Sequence, residues 1–164
     1  MDLVCCHSSI TLLPPYNPFA IMKRKIIIEI ISSLLILLFL YASVSKWLDF
    51  KLFIGEMNNQ PFPNWMTPYL VWSIPFIEVF IALALIFEKS RLPAFYASMV
   101  LMLVFTIYSV AILLHAFKYV PCSCGGVIRK LTWPQHLVFN LFFVVISITG
   151  IILKKQEPEN AVEI

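Results

Sequence analysis

The chain has 164 residues, 60% of them hydrophobic and 13% charged, with a formal net charge of +3 and a mean hydropathy of +0.88. Ordinary soluble domains are roughly half apolar, so a water-soluble core cannot absorb this much apolar surface. The weak positive balance does not point to nucleic acid as a partner, and the length suits one domain.

Residues 1–21 carry no apolar block, and Pro14, Pro15 and Pro18 oppose a helix there. They are expected to be an upstream extension or a disordered leader, in which Cys5 and Cys6 have no role. Met22 followed by Lys23, Arg24 and Lys25 resembles a natural membrane-protein start. Four apolar blocks follow, each near the roughly 20 residues that a helix needs to cross a bilayer core. Helices are expected at about 26–45, 69–87, 93–117 and 134–153. The first block has a basic start and small residues near its end, as a signal peptide would, but it exceeds the roughly 7–15 apolar residues of such a signal. It is read as a retained helix. No strand alternation lasts long enough for a barrel. The predicted fold class is therefore all-α, an integral membrane four-helix bundle over residues 22–155, with 156–164 as a cytoplasmic tail.

Lys and Arg accumulate on the cytoplasmic side of membrane proteins. With the amino terminus inside, the inner set is Lys23, Arg24, Lys25, Lys89, Arg91, Lys154 and Lys155, against Lys46, Lys51, Lys118, Arg129 and Lys130 outside. The bias is small. Trp47, Trp65, Trp72 and Trp133 all fall at segment ends that share the outer face, in the headgroup layer that indoles favour. Both termini are then cytoplasmic, in a cell inner membrane. Residues 46–68 and 118–133 are outer loops.

The most specific local signal is Pro121-Cys122-Ser123-Cys124-Gly125-Gly126. Two thiols one residue apart can close a small strained disulfide ring, and strain makes such a pair a better oxidant. A static disulfide, idle loop cysteines and a metal site are the alternatives. Arg129 and Lys130 downstream, and a Thr132-x-x-Gln135 capping box opening the fourth helix, favour a thiolate nearby. His115 and His136 should lie at a similar depth. With the cysteines they have zinc-ligand chemistry, but the cysteine spacing is atypical, so no metal is expected. His136 is a candidate proton partner for a thiol or an interfacial structural residue. Asn140 shares its helix face, where an interhelical hydrogen bond is the default.

Glu78 lies near mid-bilayer, where a carboxylate costs about 2.5–3.5 kcal/mol or more and usually has a partner or a function. It is a candidate proton partner, or a structural interhelical hydrogen bond. Lys46 is its nearest basic candidate, though shallow. Pro75 withdraws one helical hydrogen bond just before it, which makes a small polar pocket plausible. Glu29 lies beside Lys23 to Lys25, where interfacial solvation accounts for it.

Lys46-Trp47-Leu48-Asp49-Phe50, Ile74-Pro75-Phe76-Ile77-Glu78, the Cys-Ser-Cys run and Leu131 to His136 together resemble the DoxX-like superfamily, and within it the MauE branch of methylamine-utilisation membrane proteins. The resemblance covers roughly residues 22–155. It implies a redox-associated protein that helps form or maintain disulfides in periplasmic partners, such as the small subunit of methylamine dehydrogenase. Cys122 and Cys124 are the implied redox pair, and Lys46 and Glu78 the family-like polar positions. Other DoxX-like members resemble quinone-linked subunits, so a quinone is the one cofactor left open. No second outer cysteine pair exists here, which implies an external thioredoxin-like or disulfide-containing partner. The expected function is thiol-disulfide exchange or maturation of that partner. The rivals are a noncatalytic assembly factor or subunit whose cysteines staple the outer loop, and a small proton-coupled transporter using Glu78. A homo-oligomer is left open.

Overall fold

A computed structural model describes residues 18–117 and 132–157. Cys5, Cys6, Cys122, Cys124, Arg129, Lys130 and most of the leader and tail lie outside the described residues. Five α-helices follow in chain order: α1 Pro18–Leu48, α2 Phe50–Asn58, α3 Thr67–Ile86, α4 Arg91–Leu113 and α5 Trp133–Lys155. A 3-10 turn, Asn64–Met66, leads into α3. The described residues contain no strand.

Among the described residues, four helices are long and apolar enough to cross a membrane. Their outer surface is what a bilayer requires: Leu37 is 70% exposed, Phe80 74% and Val138 68%. In water such a surface would be a large aggregation liability; in lipid it is solvated. The chain is a multi-pass membrane protein. Its core is a seam of Leu35, Phe39, Ala82, Leu85 and Phe95, all fully buried, joined by Ile28, Ile81 and Val144.

Contacts at the ends show that the four long helices run alternately up and down. At one end, Arg91 at the start of α4 bonds Glu29 near the start of α1 at 2.6 and 3.4 Å. Lys154 at the end of α5 lies 3.7 Å from Glu88 in the α3–α4 turn, and Arg24 donates to the Gln156 carbonyl. Glu29, expected to be merely solvated, therefore has a defined partner. At the other end, Trp47 of α1 meets Phe76 of α3 edge-on, 5.8 Å between centroids, and Tyr108 of α4 meets Trp133 of α5 at 6.1 Å. One end is thus rich in Lys and Arg and the other in aromatic rings.

Several small polar residues inside the bundle are satisfied within their own helix, as lipid demands. Ser98, Thr106, Ser109 and Ser147 each donate to the carbonyl four residues back, at 2.7 to 2.9 Å. Helices α4 and α5 are in close contact at Gly150, where an added Cβ would lie 2.9 Å from the Phe95 ring.

Helix α2 falls inside the expected outer loop. Phe50, Phe53, Ile54 and Met57 recur at helical spacing, and Phe53 and Met57 pack with Val71 of α3. Helix α4 ends at Leu113 rather than near 117. His115 adopts a left-handed φ of 54°, its amide bonds Ile112 O at 3.0 Å and the Ala116 amide bonds Ala111 O at 3.0 Å. This is a Schellman stop with histidine in the usual glycine position.

Candidate functional site

Two polar assemblies stand out, one inside the bundle and one at its aromatic end. The first is built by α1 and α3. Lys46 occupies the last turn of α1, and its ammonium donates to both carboxylate oxygens of Glu78, at 2.7 and 3.0 Å. The side chains are 9% and 2% exposed. Lys46 was shallow by position, but a four-carbon stem lets its head travel far from its own backbone. The ammonium also lies 3.4 Å from Ala42 O.

One turn earlier on the same face of α1, Ser43 donates to the carbonyl of Pro75 at 3.1 Å. Pro75 lacks an amide for the carbonyl of Val71, so α3 is locally less self-satisfied where α1 offers a hydroxyl and an ammonium. Ser43 is absent from the sequence-derived candidates. Its spacing of three from Lys46, against Pro75 three before Glu78, was the available signal.

Aromatic rings from α1, α2 and α3 cluster together nearby in the chain. Phe50 and Trp72 are 5.1 Å apart, and Trp72 stacks on Phe76 at 6.2 Å. Trp47, Phe50 and Trp72 line a slot of about 340 Å³. Its walls are aromatic, and the Lys46–Glu78 pair is buried between α1 and α3. Such a setting can hold a planar ligand with polar edges, or move a proton between buried groups.

The second assembly surrounds Tyr108. Its hydroxyl donates to Gln60 Oε1, and Gln60, itself 3% exposed, donates through Nε2 to Glu56 O at 3.1 Å. The Tyr108 ring stacks on Phe62 at 5.4 Å and lies 6.1 Å from Phe117 and 6.1 Å from Trp133. Tyr108 and Gln60 were also missed; polar tips on aromatic and amide residues at a membrane boundary were the hint.

His136 lies in the first turn of α5, half-buried, its ring 5.9 Å from that of Trp133. His115 is exposed. Asn140 donates to Ser109 Oγ at 3.5 Å across the α4–α5 seam, the interhelical role expected of it. The capping box forms: Thr132 N–H donates to Gln135 Oε1 at 2.8 Å. Glu78 is therefore joined to Lys46, whereas His136 belongs to the separate assembly at the aromatic end. Among the described residues, no three His, Cys, Asp or Glu side chains are grouped to hold a metal ion.

No curated protein and no solved structure matches the chain. The family model described as "Methylamine utilisation protein MauE" matches residues 24–153, a stretch that includes Lys46, Glu78 and the Cys-Ser-Cys run. The chain belongs to the MauE family of methylamine-utilisation membrane proteins.

Proposed function

We propose that this protein performs thiol-disulfide exchange with a periplasmic thioredoxin-like or disulfide-containing partner through Cys122 and Cys124. It does so from the inner membrane with both termini cytoplasmic. The observation that carries this reading is the placement of Phe117 and Trp133, the described residues that flank the cysteine run. Both pack on Tyr108 at the aromatic end, opposite the end that holds Arg24, Arg91 and Lys154. Basic residues mark the cytoplasmic side, which supports an outer, oxidising side for the cysteine segment.

The chemistry is conserved in electrons. A thiolate attacks one sulfur of a disulfide, a mixed disulfide forms and a thiolate leaves. The second thiol of the attacking pair then attacks the mixed disulfide and displaces the remaining thiolate of the other protein, so two electrons and two protons pass from the dithiol to the disulfide. His136, on the first turn of α5, is the candidate proton partner at that face.

A quinone is the candidate electron acceptor for the reduced pair. The slot of about 340 Å³ lined by Trp47, Phe50 and Trp72 offers such a ring aromatic walls. When bound, a quinone would take up two electrons and two protons, and Trp47, Phe50 and Trp72 would hold its ring.

Cys122→Ser and Cys124→Ser test the reading. One variant should trap a mixed disulfide with the partner and both should stop its oxidation. Partner thiol status unchanged in both variants, with only stability lowered, leaves the cysteines as a staple of a noncatalytic assembly factor.

A further inference from the structure

We infer that the basic end of the bundle carries a binding site for an anionic phospholipid, in which Lys155 and Lys89 receive the headgroup phosphate and an exposed apolar track along α4 and α5 receives the acyl chains. The cations at this end divide into two sets. Arg24, Arg91 and Lys154 are used inside the protein: they bond, in turn, the Gln156 carbonyl, Glu29, and the carboxylates of Glu88 and Glu157. Lys23, Lys25, Lys89 and Lys155 are exposed, and among the described residues none of them has a carboxylate partner. Lys154 alone draws on both Glu88 and Glu157, which leaves the positive surplus of this end to be met from outside the described fold.

The internal bonds also gather these lysines. Lys23 and Lys25 flank Arg24, which reaches Gln156, the residue after Lys155. Lys89 follows Glu88, which lies 3.7 Å from Lys154. The start of α1, the α3–α4 turn and the end of α5 therefore bring their lysines to one end of the bundle, where apolar helices leave the bilayer.

The surroundings of Lys155 select a lipid over a soluble anion. Its ammonium stands over the ring of Tyr96, 5.4 Å from the centroid, which joins the end of α5 to the second turn of α4. The ring covers one side of the ammonium, and an ammonium has three donors to offer. From Tyr96 into the bilayer, α4 presents Val100 and Val104; α5, running the other way, presents Ile152 and Ile148 below Lys155. All five side chains are exposed, and steps of three and four residues keep each set on one helix face. A phosphate at the level of the lysines with hydrocarbon beneath it matches a phospholipid, and juxtamembrane lysines attract the anionic ones. A zwitterionic headgroup brings its own cation and gains less.

The test titrates the full-length protein, in a neutral detergent, with dioleoyl phosphatidylglycerol and with phosphatidylcholine of the same chains, counting bound lipid by native mass spectrometry. Phosphatidylglycerol should bind more tightly. Lys155→Gln and Lys89→Gln should each weaken it by about fivefold, the effect of one cation at a membrane surface, and leave phosphatidylcholine unchanged. Lys155→Arg keeps the charge and should bind as the wild type does. Lys51→Gln removes an exposed lysine of α2, at the aromatic end, and should change nothing. Val100→Asn interrupts the track and should weaken both lipids alike. Equal affinity for the two lipids overturns the site, as does phosphatidylglycerol binding that survives the double Lys89→Gln, Lys155→Gln variant or falls equally in Lys51→Gln. Inorganic phosphate that displaces phosphatidylglycerol at equal concentration overturns it too, because the apolar track would then contribute nothing.

Discussion

Lys46 of α1 grips both carboxylate oxygens of Glu78 on α3, and the two charges are almost wholly withdrawn from the surface. Each buried ion alone carries a desolvation cost of several kcal/mol that only the partner offsets. Removing one side is therefore far worse than removing both. Lys46→Met or Glu78→Leu alone should destabilise the bundle by about 3–5 kcal/mol, and the double replacement should come close to the wild type. Unfolding in mixed detergent micelles, followed by tryptophan fluorescence, gives the three values. A double variant as unstable as the sum of the singles would show that the pair is not coupled. The same double variant separates packing from chemistry: if Glu78 exchanges protons in turnover, the variant keeps its fold and loses partner oxidation.

How much of this could be read from the residues alone depended on length scale. The four spans were legible because each is a long uninterrupted apolar run, and bilayer thickness imposes that length. Trp47, Trp72 and Trp133 likewise showed their shared end, since indoles settle at the headgroup layer. Helix α2 was not legible by that criterion. Its nine residues are too few to span, and only the spacing of Phe50, Phe53, Ile54 and Met57 reveals it. The end of α4 was hidden because His115 takes a backbone conformation normally left to glycine. Lys46 looked too shallow for Glu78 because sequence position reports a backbone depth, whereas a lysine head can lie a full turn or more away. Tyr108 and Gln60 are 48 residues apart, and no local pattern connects them.

Gly150 should be intolerant of any side chain. A Cβ there would meet the Phe95 ring at 2.9 Å, and Phe95 is fully buried. Alanine in place of a helical glycine ordinarily gains up to about 1 kcal/mol, but overpacking costs about 1–3 kcal/mol, so the clash wins. Gly150→Ala should be less stable than the wild type in the same unfolding measurement. Adding Phe95→Leu should recover part of the loss, because the two sites are in contact. An alanine variant more stable than the wild type would mean that α4 and α5 separate without penalty.

Arg91 and Glu29 should contribute unequally although they form one ion pair. Glu29 is 62% exposed, so the pair itself is worth less than about 1 kcal/mol, and Glu29→Gln should be nearly silent. Arg91 is buried and also donates from Nε to the Leu85 carbonyl at 3.2 Å, near the end of α3. Arg91→Ala should therefore destabilise more than Glu29→Gln, and Arg91→Lys should not restore it, since an ammonium lacks the guanidinium fork that spans both acceptors. Equal losses for the two single variants would mean that the ion pair, and not the carbonyl, is what Arg91 serves.

Thr132 opens α5 at the boundary of the cysteine segment, and its cap should act locally. The Thr132 amide donates to Gln135 Oε1 at 2.8 Å while the Thr132 side chain answers the Gln135 amide. Pro134 has no amide to satisfy, so this reciprocal pair covers much of the exposed donor set at the helix start. Thr132→Ala removes one of the two bonds and should cost about 1 kcal/mol, with Thr132→Ser close to the wild type. Hydrogen exchange locates the effect. Protection should fall at Gln135 in the alanine variant and stay unchanged at Phe143 and Val144, which pack in the core. The His136 amide, bonded to the Thr132 carbonyl at 2.9 Å, should keep its protection, because that bond needs no side chain. Loss of protection along the whole of α5 would mean instead that the helix depends on its cap for existence and not on burial against α4.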